Sequence, residues 1–510
     1  MALVAGVAAP AQSRPLDQPY EIRFRSPEAL HELMDLGFDI SHVHGDHATV
    51  HANAAALEVL SHLGYQYRAI DVGEVPADWS EINFAKGLGQ YHNHAELTIA
   101  LQDYANQYPS LCRLVSLGDS VEGRELWALL ITDNPDVEED EPEFKYVSTM
   151  HGNEPVGTEM LLYLIDYLLS EYGSNARATS LVDETAIWIV PMMNPDGNMV
   201  PQRTNANGKD LNRSFPAYPD DFEDTIYDGE SLDDAGREPE VQHLMHWSAE
   251  NSFVLAANFH TGALVVNYPY DDDGKISGMN APSPDDDLYI DISLRYASNN
   301  PPMYASSTFE DGITNGTAWY VAVGGMQDWN YRYLAGMEVT IELYGPQFIP
   351  SESKLPTLWN QNRESMLAYL ESVHIGVRGR VLDAATRQPL WARVRVANNT
   401  QPVFTDPDIG DYYRLLLPGR YSLSYYAPGF YTKTVSSVDV AGDNATRLDI
   451  LLAPESADIN GDDAVGASDV QFVINAALGI DISPLNGDIS GDNIVNAVDV
   501  QQEVNSALNF

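Results

Sequence analysis

At 510 residues the chain is longer than one core usually holds, so several domains are expected, at least one of them large. A formal net charge of -48 excludes nucleic acid and anionic membrane as partners, because a polyanion would be repelled. The carboxylates are spread along the whole sequence, which reads as an acidic surface suited to salty surroundings, and secondarily as one that draws cationic substrates.

Cys112 is the sole cysteine, which rules out an intrachain disulfide and leaves export open. Residues 1–15 are apolar and rich in small side chains, like the end of a signal peptide with an A-x-A-like site, but they lack a basic start. A secreted, cell-surface or periplasmic protein of a bacterium is the expectation. No stretch is long enough to span a bilayer. Residues 16–80 alternate short strand-like pieces (Tyr20–Phe24, Ala48–Ala52, Tyr65–Ile70) with helix-like ones (Pro27–Leu36, Ala54–Leu63), a small α+β module of pro-segment type. Its run His42-Val43-His44-Gly45-Asp46-His47 reads as a solvated turn rather than a metal site. Whether the module is an inhibitory pro-segment or a permanent domain stays open.

From about residue 88 to 373 strands interleave with long helices, which predicts an α/β domain with a mainly parallel or mixed sheet. Ligands of such sheets bind beyond the carboxyl ends of the strands. Polar residues gather there. The apolar run Phe144–Met150 stops at His151 with Glu154 three residues on, so one turn offers a divalent metal an imidazole and a carboxylate. A catalytic zinc takes three protein ligands and leaves a fourth position to water, so a third ligand must come from elsewhere. Another strand leads into Asn194-Pro195-Asp196-Gly197, then Arg203 and Asp210-Leu211-Asn212-Arg213. A third ends at His260, and a fourth carries Glu342 inside an otherwise apolar run.

These segments, with Asn267–Asp271, Gly312–Tyr320, Gly324–Asp328 and Thr340–Leu343, resemble the zinc metallocarboxypeptidases in order and spacing, especially the regulatory branch that includes carboxypeptidases D, E and N. One departure is Ser214, where the family usually shows Asn. The resemblance implies an enzyme that hydrolyses the C-terminal residue of peptides and proteins. It implies that His151, Glu154 and His260 hold one catalytic Zn2+, that Glu342 is the general base and that Arg203 stabilises the oxyanion. It implies further that Asn212 and Arg213 grip the terminal carboxylate and that Tyr320 closes over it. Asp271 and Gln327 fall where the family lines the pocket for the last side chain. A carboxylate there favours terminal Lys or Arg. Neutral C-terminal residues or cell-wall peptides are the alternative substrates, and a non-catalytic assembly protein is the alternative class.

Residues 375–453 change to short strands and turns, a β-sandwich that resembles the transthyretin-like domain of the same branch. Residues 456–510 hold a repeat: Asp458, Asn460, Asp462, Ala464 and Asp469 are matched by Asp488, Ser490, Asp492, Ile494 and Asp499. Oxygen donors at that spacing suit calcium, with position seven contributing through its backbone. The pair resembles a dockerin, which implies two Ca2+ ions, a small calcium-binding helical domain and a cohesin-type protein partner.

Overall fold

The computed structural model describes residues 17–509, apart from 84–85, 219–231, 346, 443, 462–463, 483–484 and 491–493. The expected signal segment therefore lies outside the described residues. The N-terminal module contains β1 (Gln18–Arg23), α1 (Pro27–Asp35), β2 (Asp39–His44), β3 (His47–Ala52), α2 (Ala54–His62) and β4 (Tyr67–Ala69). Ser26 and Asn53 accept backbone N–H groups at the starts of the two helices, which fixes where each begins. The strands pair antiparallel in the order β2-β3-β1-β4, and Ile22, Leu30, Leu33, Ile40, Val50 and Leu60 fill their own small core. The solvated turn expected over residues 42–47 is present at its exposed His44-Gly45 tip but does not extend to His42. Residues 39–44 are a strand, His42 is only 6% exposed, and the face it presents is covered by the next domain.

Residues 70–83 and 86–93 run along the catalytic domain and are pinned to it. Ile349 donates to Val72 and accepts from Glu74; Trp79 Nε1 donates to the carbonyl of Asn198 at 2.8 Å; buried Lys86 Nζ lies 3.1 Å from Glu96 Oε2.

The catalytic domain has a mixed sheet in the order β11-β10-β12-β9-β7-β8-β6-β5, as the alternation of elements predicted. Its strands are β5 (Cys112–Asp119), β6 (Glu125–Ile131), β7 (Glu143–Ser148), β8 (Ala186–Val190), β9 (Leu255–His260), β10 (Leu264–Tyr268), β11 (Ile313–Asn315) and β12 (Met337–Leu343). Helices α3 (His94–Gln107), α4 (Val156–Glu171), α5 (Ala176–Glu184), α6 (Pro195–Met199), α7 (Pro239–Glu250), α8 (Asp286–Ala297), α9 (Pro301–Tyr304), α10 (Gly316–Trp319), α11 (Met326–Trp329) and α12 (Leu355–Glu371) connect or cover them. Strands β7, β9 and β12 are buried along their whole length and parallel, so their carboxyl ends, where the site lies, meet on one edge.

A buried ion pair crosses this centre. Lys145 Nζ, on β7, is 2.8 Å from Ser248 Oγ, 3.1 Å from Asn330 Oδ1 and 4.0 Å from Glu338 Oε2 on β12. Burial draws the Lys145 ammonium down to about 8 against the pull of Glu338. Removing one member of such a pair leaves an uncompensated charge. Glu338→Ala is thus expected to destabilise the domain by about 3–5 kcal/mol, whereas Lys145→Met with Glu338→Leu should be close to neutral. Urea unfolding of the two variants against the parent checks this.

The C-terminal sandwich packs a sheet of residues 377–383, 411–414, 446–447 and 450–452 on a sheet of 393–396, 403–404, 419–426 and 433–440. It is fused to the catalytic domain rather than strung behind it: Arg414 and Asp285, both nearly fully buried, pair at 2.6 Å, and Gln401 Nε2 donates to the carbonyl of Tyr331. Beyond it, α13 (Ala467–Ala477) and α14 (Ala497–Asn509) pack on each other, each preceded by one loop of the repeat. Among the described residues, no helix is long and apolar enough to cross a membrane.

Candidate active site

Strand β7 ends at Ser148, and Thr149 turns the chain with a positive φ of 50°, throwing His151 and Glu154 to the sheet edge. Gly152 is required there: a Cβ would sit 2.0 Å from the backbone of Gly197, which crosses directly above. That crossing is held by Asn194, whose side chain accepts from Gly197 N–H at 2.8 Å and donates to the carbonyls of Met150 and Arg203. The Asn-Pro-Asp-Gly segment therefore clamps the Arg203 loop onto the turn that carries His151 and Glu154.

His151 Nδ1, His260 Nδ1 and the two oxygens of Glu154 converge. The ring nitrogens are 3.0 Å apart, His151 Nδ1 is 3.0 Å from Glu154 Oε1, and His260 Nδ1 is 2.9 Å from Oε2. These three are the group of metal-ligating side chains, among the described residues, whose donor atoms all lie within 4.8 Å of one another. Zinc–nitrogen distances of about 2.0–2.1 Å at a tetrahedral centre imply nitrogens roughly 3.3 Å apart, so the donors fit zinc. The outer contacts fit as well: His151 turns its Nε2 to Asp210 Oδ1 at 3.0 Å, which aims its Nδ1 at the centre. Although burial opposes its charge, the neighbouring His151 and His260 hold the Glu154 carboxyl well below the usual carboxylate range.

Glu342 lies beside this centre because β12 runs parallel to β9 with Glu342 in register with His260. It is 3% exposed, and its Oε2 has no hydrogen-bond partner among the described residues. Arg203 borders the ligands from the other side, with Nη1 3.1 Å from His151 Nδ1 and Nη2 2.7 Å from Asp210 Oδ2. Asp210, which the sequence placed in a motif without a role, thus orients both a ligand and the cation, and burial is outweighed by Arg203 and His151 in holding its carboxyl well down.

Asn212, Arg213, Asp271 and Tyr320 line the same cleft as Arg203, Glu342 and the three ligands. Burial pushes the Tyr320 hydroxyl up to about 12 despite Arg213. Asp271 accepts from Asn267 Nδ2 at 2.8 Å, and a Cβ on Gly316 would stand 2.0 Å from its Oδ1, so only glycine leaves room for the carboxylate. Burial first, then Asp328, raise the Asp271 carboxyl well above its ordinary range; burial raises Asp328 to about 6 against the pull of Arg332. Gln327 is not part of the cleft lining; it is 1% exposed on α11, and both its amide atoms lack hydrogen-bond partners among the described residues.

The zinc carboxypeptidase family model matches residues 97–365, and the carboxypeptidase regulatory-like domain model matches residues 376–453. The chain belongs to the zinc carboxypeptidase family. Human carboxypeptidase D is 42% identical over 396 residues, covering 74% of this chain but only 28% of that protein. The catalytic chain of human carboxypeptidase N is 39% identical over 383 residues, covering 68% of this chain and 82% of that one. Mouse carboxypeptidase M is 39% identical over 361 residues, covering 67% and 79%. The crystal structure of carboxypeptidase A from Helicoverpa armigera shares the fold, with a TM-score of 0.55, 21% identity and coverage of 70% of this chain and 97% of that one. The family description agrees with the geometry: a carboxypeptidase needs a metal, a base and a grip for a carboxylate in one cleft.

That cleft is filled from the N-terminal module. Asp39 Oδ2 accepts from Arg203 Nε at 2.8 Å, the carbonyl of Ile40 from Arg213 Nη2 at 3.2 Å, and the carbonyl of Val43 from Trp319 Nε1 at 2.7 Å. His42 Nε2 lies 3.4 Å from Glu342 Oε1, with its ring edge-on to Trp319 and Phe348. A cavity of about 20 Å³ is left, room for a water and nothing larger. More spacious cavities lie elsewhere, one of about 460 Å³ where the catalytic domain meets the sandwich, but the metal ligands do not line it.

The tail's candidate residues are less converged. Asp469 accepts from Ile459, Asn460 and Gly466 N–H groups and closes its loop, and Asp499 does the same with Ser490 and Asn496. Ala464 and Ile494 are exposed, and Asp462 and Asp492 lie outside the described residues.

Proposed function

We propose that this zinc carboxypeptidase removes the C-terminal residue of peptides and proteins, prefers Lys or Arg, and is kept latent by residues 16–80. The convergence of His151, Glu154 and His260 beside Glu342, with two arginines on one side, carries the reading. His151, Glu154 and His260 would hold zinc, which supplies a Lewis acid for the scissile carbonyl and a water of lowered pKa. Glu342 takes a proton from the attacking water and returns it to the leaving amine. Arg203 faces the negative charge that develops on the carbonyl oxygen. Arg213 pairs with the substrate's terminal carboxylate through its planar fork, and Asn212 adds a donor. Such a grip accepts one chain end, so residues leave one at a time.

The preference for a cationic side chain rests on Asp271 and Asp328, two neighbouring buried carboxylates. A bound ammonium or guanidinium would answer both. In turnover of matched blocked dipeptides ending in Arg or Phe, chelator-sensitive release of Arg is expected, with Asp271→Ala lowering kcat/KM for Arg by about 100-fold, as losing one partner of a desolvated charge pair implies. Preference of the parent for Phe would overturn the specificity and leave the zinc chemistry standing.

The repeat in residues 456–510 supports a reading in which each loop takes one calcium ion and the tail engages a cohesin-type partner; carboxylate and amide oxygens at calcium-loop spacing carry it. Calcium loops of this kind fit a protein working outside the cytoplasm, secreted, surface-held or periplasmic.

A further inference from the structure

Beside the cleft lies an apolar recess that the metal ligands, the base and the carboxylate grip leave unused. Its walls are Ala263, just before β10, Val265 within it, Phe309 and Trp319, and all four are buried. The rings of Phe309 and Trp319 meet edge to face with centroids 5.1 Å apart, and Trp319 meets Tyr320 likewise at 4.9 Å. The recess borders Glu342. Strands β10 and β12 pair antiparallel with Val265 opposite Glu342. Such partners stand on one face of the sheet with Cβ atoms about 4.5–5.5 Å apart. Two residues along each strand, Asn267 is opposite Thr340, and both line the cleft. One face therefore runs from Asn267, which holds Asp271, past Glu342 to the apolar wall at Val265.

The N-terminal module fills this recess. Val43 on β2 packs against the four walls, and its carbonyl accepts from Trp319 Nε1 at 2.7 Å. The residue is thus held twice, by its side chain and by its main chain. Its neighbours His42 and His44 set their rings 6.0 and 6.5 Å from that of Trp319. Earlier on the same strand, the carbonyl of Ile40 accepts from Arg213 and the carboxylate of Asp39 from Arg203. A short run of main chain and side chains thus crosses the cleft and ends with an aliphatic residue in the recess.

We propose that the recess is a substrate subsite for which Val43 stands in. It receives an aliphatic side chain of about the size of Val or Leu, and Trp319 Nε1 donates to the carbonyl of the same residue. That residue is one of the two just before the scissile bond, since an extended chain advances about 3.3 Å per residue and the recess adjoins the base. The subsite rests on the carboxypeptidase and latency readings and adds a second selection to the one made for the departing residue. The preferred chain end is cationic at its last residue and aliphatic one or two residues earlier. Glycine there leaves the recess empty. Aspartate brings another negative charge into apolar surroundings beside Glu342, which is unfavourable on both counts. Moving a valine side chain from water into such a recess favours binding by about tenfold or more.

The test uses the full chain carrying Asp39→Ala and His42→Ala, loaded with zinc. The substrates are blocked tetrapeptides ending in Arg, with Val, Gly or Asp at the first or the second position before it. At one of the two positions kcat/KM is expected to be about tenfold higher for Val than for Gly, and lower still for Asp. Phe309→Ala in the same background should bring the ratio of Val to Gly near one, chiefly through loss on the Val peptide. Phe309→Leu, which keeps the wall apolar, should retain most of the preference. Equal turnover of Val and Gly peptides at both positions would overturn the subsite and leave the recess to the module alone, with the carboxypeptidase reading standing. An unchanged ratio in a Phe309→Ala protein that melts like its parent would do the same. Release of Arg from none of the peptides would overturn the carboxypeptidase reading, and the subsite with it.

Discussion

Glu342→Gln is expected to lower kcat/KM on an Arg-terminated peptide by about 1,000-fold, within the span usual for loss of a positioned general base. The substitution keeps the shape of a buried side chain on β12 and removes only its ability to accept a proton. It touches none of the three converging donors, so zinc content by elemental analysis and the melting temperature should match the parent. Both proteins are best compared in an Asp39→Ala, His42→Ala background, in which the contacts that fill the cleft are removed. The other carboxylates of the cleft are engaged: Glu154 by the imidazoles, Asp210 by Arg203 and His151, Asp271 by Asn267. A variant keeping a tenth of the parent activity would therefore move the base to a group outside this set.

Asp39→Ala combined with His42→Ala in the full chain is expected to raise kcat/KM by about 10- to 100-fold without proteolysis. Asp39 occupies Arg203, the carbonyl of Ile40 occupies Arg213, and His42 stands against Glu342, so the groups proposed as oxyanion donor, carboxylate grip and base are all taken at once. Truncating a charged residue paired with a buried arginine costs an interface about 2–5 kcal/mol, reduced here because Asp39 is partly exposed. Most of that loss should appear as opening of the cleft. Arg68→Ala, on the exposed edge strand β4, serves as the control and should leave activity unchanged. Equal activity of the double variant and the parent, with the module still folded by circular dichroism, would end the latency reading.

What could be read from the chain alone was the chemistry that a single turn or strand end carries. His151 and Glu154 share one turn, His260 and Glu342 end adjacent strands, and each stands out because a polar residue interrupts an apolar run. His42 departs from its expected exposure for the opposite reason. His-Val-His-Gly-Asp-His is mostly polar, and nothing local to it says that Trp319, Phe348 and Glu342 will cover His42. Burial of that kind is decided by a surface some 300 residues away in the chain. Asp210 and Asp328 escaped likewise, since one aims a ligand and the other faces Asp271 from α11, and spacing does not reveal either contact. In the tail the repeat showed what its two halves share. That Glu503 lies buried on α14 is not legible in it.

The pinning of residues 72–86 to the catalytic domain sets the terms on which the cleft stays shut. A module that lets go remains tethered at Val72 and searches a small volume, which corresponds to an effective concentration of about 1 mM or more. An intrinsic affinity as weak as ~10 µM would then keep roughly 99% of molecules closed. The same segment added as a free peptide at micromolar concentration would leave most clefts open. Latency of this kind belongs to covalent continuity rather than to tight binding. It is indifferent to protein concentration while the chain is whole, and a single cut at exposed Asp71 followed by dilution would end it.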